Sequence, residues 1–135
     1  MDDKGGIVLD TGGAYRFLPA SVVANVTPAE PIVPVPGLQA PAIGLVMTED
    51  RVATALCIGS HCSEHMVVCR VEGGWVALHG ARVVATGLFP RTKDGAEAVE
   101  WNGETAEVLN VGALTVEVEE AIWRAAGASE HERLG

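Results

Sequence analysis

The sequence predicts an all-β fold, and three observations carry that prediction. Its 16 Gly and 7 Pro fall between short Val-rich runs such as Val33-Pro34-Val35 and Val67-Val68-Cys69, the pattern of brief strands punctuated by turns. Three of the turns have the residues that tight hairpins need. Helical spacing of apolar residues is confined to the end of the chain. With 135 residues, 48% apolar and 20% charged, the chain is long enough for one domain and too hydrophobic to stay disordered.

Ile7 to Asp10 and Tyr15 to Leu18 flank Thr11-Gly12-Gly13, whose glycines accept the positive φ of a tight turn, and form the first predicted hairpin. Between Thr27 and Pro41 stand Pro28, Pro31, Pro34, Pro36 and Pro41. Each removes a backbone donor, so the segment is predicted as an edge strand around Ile32 to Val35 followed by a loop. Ile43 to Met47 and Val52 to Ile58 make a strand pair joined by the acidic turn Thr48-Glu49-Asp50. Met66 to Val71 and Trp75 to Leu78 form a second hairpin around Glu72-Gly73-Gly74, and Ala81 to Phe89 is a further strand. A third hairpin joins Ala98 to Trp101 with Thr105 to Val111 through Asn102-Gly103, the dipeptide most favoured in a type I′ turn. Three hairpins in so short a chain favour an antiparallel barrel or sandwich. Leu114, Val118, Ala121, Ile122 and Ala125 then recur at helical spacing before Gly127, predicting one short helix with glutamates at its start and Arg124 near its end. Residues 127–135 read as a solvated tail.

Charge narrows the partners. Subtracting 18 acidic from 9 basic residues leaves −9, which repels a phosphate backbone and an anionic membrane surface alike. No apolar run approaches the ~20 residues of a membrane span, and Met1-Asp2-Asp3-Lys4 does not open like a signal peptide. A cytoplasmic protein, with no nucleic-acid partner and no direct membrane insertion, is expected.

The residues with most chemistry are Cys57, His61, Cys62, His65 and Cys69. Thiolate and imidazole suit zinc, yet the irregular spacing lacks the paired knuckles of structural zinc sites, and Cys57 and Cys69 fall within apolar strands where a thiol packs. No metal ligands and no cofactor are assigned. There is no G-x-S-x-G elbow, P-loop or G-x-G-x-x-G, and the double glycines all sit in hairpin turns, so no catalytic residue is assigned either. Trp75, Trp101 and Trp123 are read as core residues in preference to interface anchors. The apolar Pro-rich segment from Ile32 to Leu38 is the better interface candidate, because an edge strand offers unpaired backbone groups.

The order of these segments resembles the CheW-like adaptor domain. Tyr15-Arg16-Phe17-Leu18-Pro19 through Val26 is similar to that family's Tyr-Ala-Leu-Pro opening with one residue inserted. Ile32-Val33-Pro34-Val35-Pro36-Gly37 matches the Pro-containing stretch that follows, and Ile43 to Val52 aligns with the Gly-Val-Ile-Asn-Leu-Arg-Gly-Arg-Val motif. Trp75 to Val83 and Leu109-Asn110-Val111 fall where two later family strands lie. Glu49 stands in place of the family's Arg, Asp50 of Gly, Thr54 of Pro, and Cys57 and Ala81 each of Asp.

The resemblance implies a CheW-like domain over residues 6–126, built as two packed SH3-like five-stranded β-barrels with a short C-terminal helix. It also implies a non-catalytic adaptor in bacterial chemosensory signalling, one surface meeting the cytoplasmic tip of a chemoreceptor and another the regulatory domain of a histidine kinase. Ile32, Val33, Val35, Leu45, Val46, Met47, Glu49 and Arg51 are the candidate partner-binding residues, since charges rimming an apolar patch set which partner is tolerated. The reversed sign at Glu49 allows a divergent receptor or a partner outside chemosensory arrays. A metal- or redox-responsive Cys/His module and a small enzyme whose site forms only in the fold are the competing classes.

Overall fold

A computed structural model describes residues 3–38, 40–62, 64–92 and 97–116. Within them the chain forms two five-stranded sheets. The first joins β1 (Lys4–Asp10), β2 (Tyr15–Pro19), β8 (Arg82–Phe89), β9 (Ala98–Trp101) and β10 (Glu104–Val108) in the order β8-β1-β2-β10-β9. The second joins β3 (Val23–Pro28), β4 (Ala42–Thr48), β5 (Arg51–Cys57), β6 (His65–Val71) and β7 (Gly74–His79) in the order β3-β6-β7-β5-β4.

The two sheets follow one plan. Each has an antiparallel edge pair (β8 with β1, β3 with β6), a hairpin (β1-β2, β6-β7), a parallel pair (β2 with β10, β7 with β5) and a second hairpin (β10-β9, β5-β4). Each curls on itself, because the chain leaving one edge strand bridges the opposite edge, Arg91 to Val99 in the first sheet and Val33 to Leu45 in the second. Barrel curvature thus covers edges that would otherwise stay open to pairing.

The turns show why these residues fold locally this way. Asn102 (φ 51°) and Gly103 (φ 77°) make the anticipated two-residue turn between β9 and β10. At the first hairpin the Thr11 N–H donates to the Ala14 carbonyl at 3.0 Å, while Asp10 Oδ1 accepts from the Gly12 N–H at 2.9 Å.

Strict alternation divides the buried side chains among three cores. Val8, Phe17, Phe89, Val99 and Ala106 fill the first barrel, and Val46, Ala53, Ala55, Met66, Val68 and Ala77 fill the second. The opposite faces meet each other: Ile7, Leu9 and Leu18 of the first sheet pack against Leu56, Val67, Cys69, Val76 and Leu78 of the second.

Three expectations need correction. The edge strand around Ile32 to Val35 reduces to the single bridge at Val33, since prolines 31, 34 and 36 leave no run of donors for a ladder. The edge strands of the second sheet are instead β4 and β3, the latter a half-exposed segment paired with β6. The strand expected to reach Val111 stops at Val108, and residues 111–116 begin a helix, α1, with Asn110 Oδ1 accepting from the Ala113 N–H at 2.9 Å as its N-terminal cap. The rest of the anticipated helix, with Trp123 and Arg124, and the tail 127–135 lie outside the described residues.

Candidate functional site

β4 carries the site because its two faces differ. Ala42, Gly44, Val46 and Thr48 turn inward, while Ile43, Leu45 and Met47 turn out. On the outward face Met47 is 57% exposed, and across the hairpin Val52 is 55% exposed, with Val33 beside them at 60%. Large apolar side chains this open to water, grouped in one place, make this face the candidate docking surface. Together with Glu30 and Pro31 they line an apolar groove of about 240 Å³.

Gly44 makes the groove possible. It sits at a bulge in β4, with φ 152°, and a Cβ there would lie 2.4 Å from the Val33 carbonyl oxygen. The absent side chain lets the Pro-rich segment press against β4, where Val33 and Leu45 exchange backbone hydrogen bonds of 2.8 and 2.9 Å.

At the tip of the β4-β5 hairpin both turn residues are left-handed, Glu49 at φ 47° and Asp50 at φ 65°. These positions correspond to Asn102 and Gly103 of the first barrel, where the residues suit the conformation; for Glu the left-handed region costs on the order of 1 kcal/mol. The Glu49 carboxylate accepts a long hydrogen bond, 3.5 Å, from Asn25 Nδ2 on β3. On the other side of the tip, the Arg51 guanidinium lies 4.0 Å from the centre of the Trp75 ring, and Arg70 lies 5.3 Å from that centre.

Of the residues anticipated from sequence, Val33, Leu45 and Met47 come together in the groove, and Glu49 and Arg51 flank it at the hairpin tip. Val46 is 1% exposed and points into the barrel, so it forms the groove's floor and presents almost no surface. Ile32 also turns inward onto that core, and Val35 lies further along the loop. Sequence reasoning missed Val52, Glu30 and Pro31. Period-two alternation from Ala53 places Val52 outward, which is the signal that would have found it.

The cysteines and histidines are dispersed. Cys69 lies in the inter-barrel core, where burial pushes its thiol up to about 12. Cys57 and Cys62 are exposed, and Cys57 Sγ donates to the Gly59 carbonyl at 3.2 Å. His61 Nε2 has no aligned hydrogen-bond partner but lies 3.2 Å from Asp10 Oδ2, which Arg82 also approaches at 3.5 Å. The Gly12 N–H is the main influence holding the Asp10 carboxyl below its usual value, helped by His61 and Arg82. Burial holds His79 below the ordinary histidine range. Among the described residues no three His, Cys, Asp or Glu side chains converge on one point, and no helix is long and apolar enough to cross a membrane.

No family model matches the chain, and no curated protein matches its sequence. Among solved structures it matches that of the scaffolding protein TtCheW from Thermoanaerobacter tengcongensis, with a TM-score of 0.64 and 12% identity, over 82% of this chain and 86% of that one. At that identity the likeness is one of architecture: this chain has the CheW fold.

Proposed function

We propose that the protein is a non-catalytic adaptor that works by holding partners in a fixed geometry, with the β4-β5 face of the second barrel as one docking surface. The observation that carries the reading is the open apolar strip of Val33, Leu45, Met47 and Val52 on a CheW fold. Burying such a strip supplies affinity, and the charged hairpin tip beside it supplies selectivity. A chemoreceptor tip and the regulatory domain of a histidine kinase are the partners that the sequence resemblance favours. Glu49, standing where that family carries Arg, turns the tip toward a partner with a basic group opposite it.

Binding of the protein to a receptor-tip fragment and to a kinase regulatory domain, measured by calorimetry, tests this. Met47→Asp is expected to weaken binding at least about tenfold by placing a charge in the apolar contact. Glu49→Arg is expected to weaken binding at low salt more than at high salt, because exposed charges are screened. Both variants should melt within a few degrees of the parent, since exposed substitutions usually change stability by about 0.5 kcal/mol or less. Unchanged affinity in Met47→Asp would reject the groove; no binding to either partner by the parent protein would reject the chemosensory reading.

A further inference from the structure

Arg51, Trp75 and Arg70 stand on the adjacent strands β5, β7 and β6, at the hairpin end of the second barrel. Stacking fixes the plane of a guanidinium and leaves its edge N–H groups free to bond outward. Here two guanidinium groups contact one indole, at 4.0 and 5.3 Å from its centre, Arg51 from the β5 side of β7 and Arg70 from the β6 side. Two other arginines have acidic neighbours: Arg16 pairs with Glu107 at 2.7 Å and Arg82 approaches Asp10 at 3.5 Å. Arg51 and Arg70, both exposed, pair with no carboxylate among the described residues. Glu49, one turn residue away, instead reaches toward Asn25. Although Glu49, Asp50 and Glu72 lie within two residues of them in the chain, neither guanidinium is neutralised by a carboxylate contact.

We propose that Arg51, Trp75 and Arg70 form a seat for side-chain carboxylates of an acidic segment on a protein partner. The seat deepens the adaptor reading, on which it rests, by assigning the partner an acidic group beside the basic one that Glu49 favours. Carboxylates meeting the guanidinium edges on either side of the indole would form charge-assisted hydrogen bonds. The stacked, half-buried Trp75 pre-orients the donors.

The test titrates the full chain with a fluorescent peptide containing four consecutive glutamates, and with matched peptides carrying glutamines or a phosphoserine. The glutamate peptide is expected to bind, more weakly as salt is raised, and roughly two- to fivefold more weakly to Arg51→Gln or Arg70→Gln, the upper range for exposed ion pairs. Trp75→Phe, which keeps a stacking face, should retain more affinity than Trp75→Leu. Equal binding of the glutamine peptide, binding of the phosphopeptide alone, or unchanged affinity in both arginine variants would overturn the seat. The groove variant Met47→Asp keeps the two readings separable: if it loses the protein partner while both arginine variants retain it, the seat is wrong and the adaptor reading stands.

Discussion

Phe17 fits inside the first barrel because Gly6 has no side chain beside it. A Cβ on Gly6 would lie 2.7 Å from Phe17 Cζ and 2.1 Å from the Leu18 carbonyl oxygen. At the corresponding places of the second barrel stand Met66 and Ala77, both fully buried. One barrel thus takes its bulk from Phe17 and the other from Met66, each opposite a small residue, which keeps both interiors filled without overlap. Gly6→Ala is therefore expected to cost about 1–3 kcal/mol as an overpacked site. Gly5→Ala, whose Cβ would first meet Leu88 at 3.5 Å, should fall within about 0.5 kcal/mol of the parent. Chemical denaturation of the two variants checks the contrast. Asp10 allows a second prediction. Its carboxyl is held below the ordinary 3.8 by the Gly12 N–H first and by His61 and Arg82 after it. A depressed folded-state value contributes stability above the unfolded value, and that contribution is lost as pH falls through the folded one. Asp10→Asn should accordingly lower the melting temperature at pH 7, and the gap from the parent should narrow below about pH 4. A gap that stays constant down to pH 2 would show that the Asp10 contacts do not contribute.

Strands and turns differ in how far the sequence reveals them. The hairpins at Gly12-Gly13, Gly73 and Asn102-Gly103 were legible because a tight turn is a local contract between backbone sign and residue type. β3 was not legible: Val23-Ala24-Asn25-Val26-Thr27-Pro28 has mostly exposed positions, and its strand character comes from pairing with β6 some forty residues away. The parallel pairs β2-β10 and β5-β7 are equally non-local, and no spacing rule within one segment predicts them. The candidate site is divided in the same way. Leu45 and Met47 follow from alternation, whereas Arg51 beside Trp75 and Arg70 requires three strands to be set in register. Gly44 offers a test at this scale. Gly44→Ala places a methyl group 2.4 Å from the Val33 carbonyl oxygen, so the Pro-rich segment should lift from β4. Faster amide hydrogen exchange at Val33 and Leu45, with exchange in β1 and β2 unchanged, is the expected signature. Protection at Val33 equal to the parent's would show that the segment accommodates the methyl group without separating.

For the whole molecule, the question is whether two barrels of one plan behave as one cooperative body. The strands repeat as β3-β4-β5-β6-β7 and, with the chain ends joined through the sheet, as β8-β9-β10-β1-β2. The faces that meet are consequently equivalent: Ile7, Leu9 and Leu18 occupy the places that Val67, Cys69 and Leu78 hold in the other barrel. This shared core is as dry as either interior, with Leu9, Leu18 and Cys69 all 0% exposed. The chain also enters the first barrel, traverses the second and returns, so the first sheet is complete only with strands from both sides of the second, which is itself the continuous run β3 to β7. Separation of the barrels would expose the shared apolar face to water and should therefore coincide with global unfolding. Cys69 makes this measurable, because its thiol, pushed up to about 12 by burial, is both inaccessible and scarcely ionised in the folded protein, and the thiolate is the reactive form. With an aromatic disulfide reagent at pH 8, the exposed Cys57 and Cys62 are expected to react promptly. Cys69 should react only at the rate at which the whole molecule unfolds, and that rate should rise with denaturant along the same slope as the loss of far-ultraviolet circular dichroism. A Cys69 rate well above the global unfolding rate, with a shallower denaturant slope, would reveal that the barrels part while each stays folded. An adaptor built that way would hold its partners across a hinge, and the fixed geometry proposed for it would have to be given up.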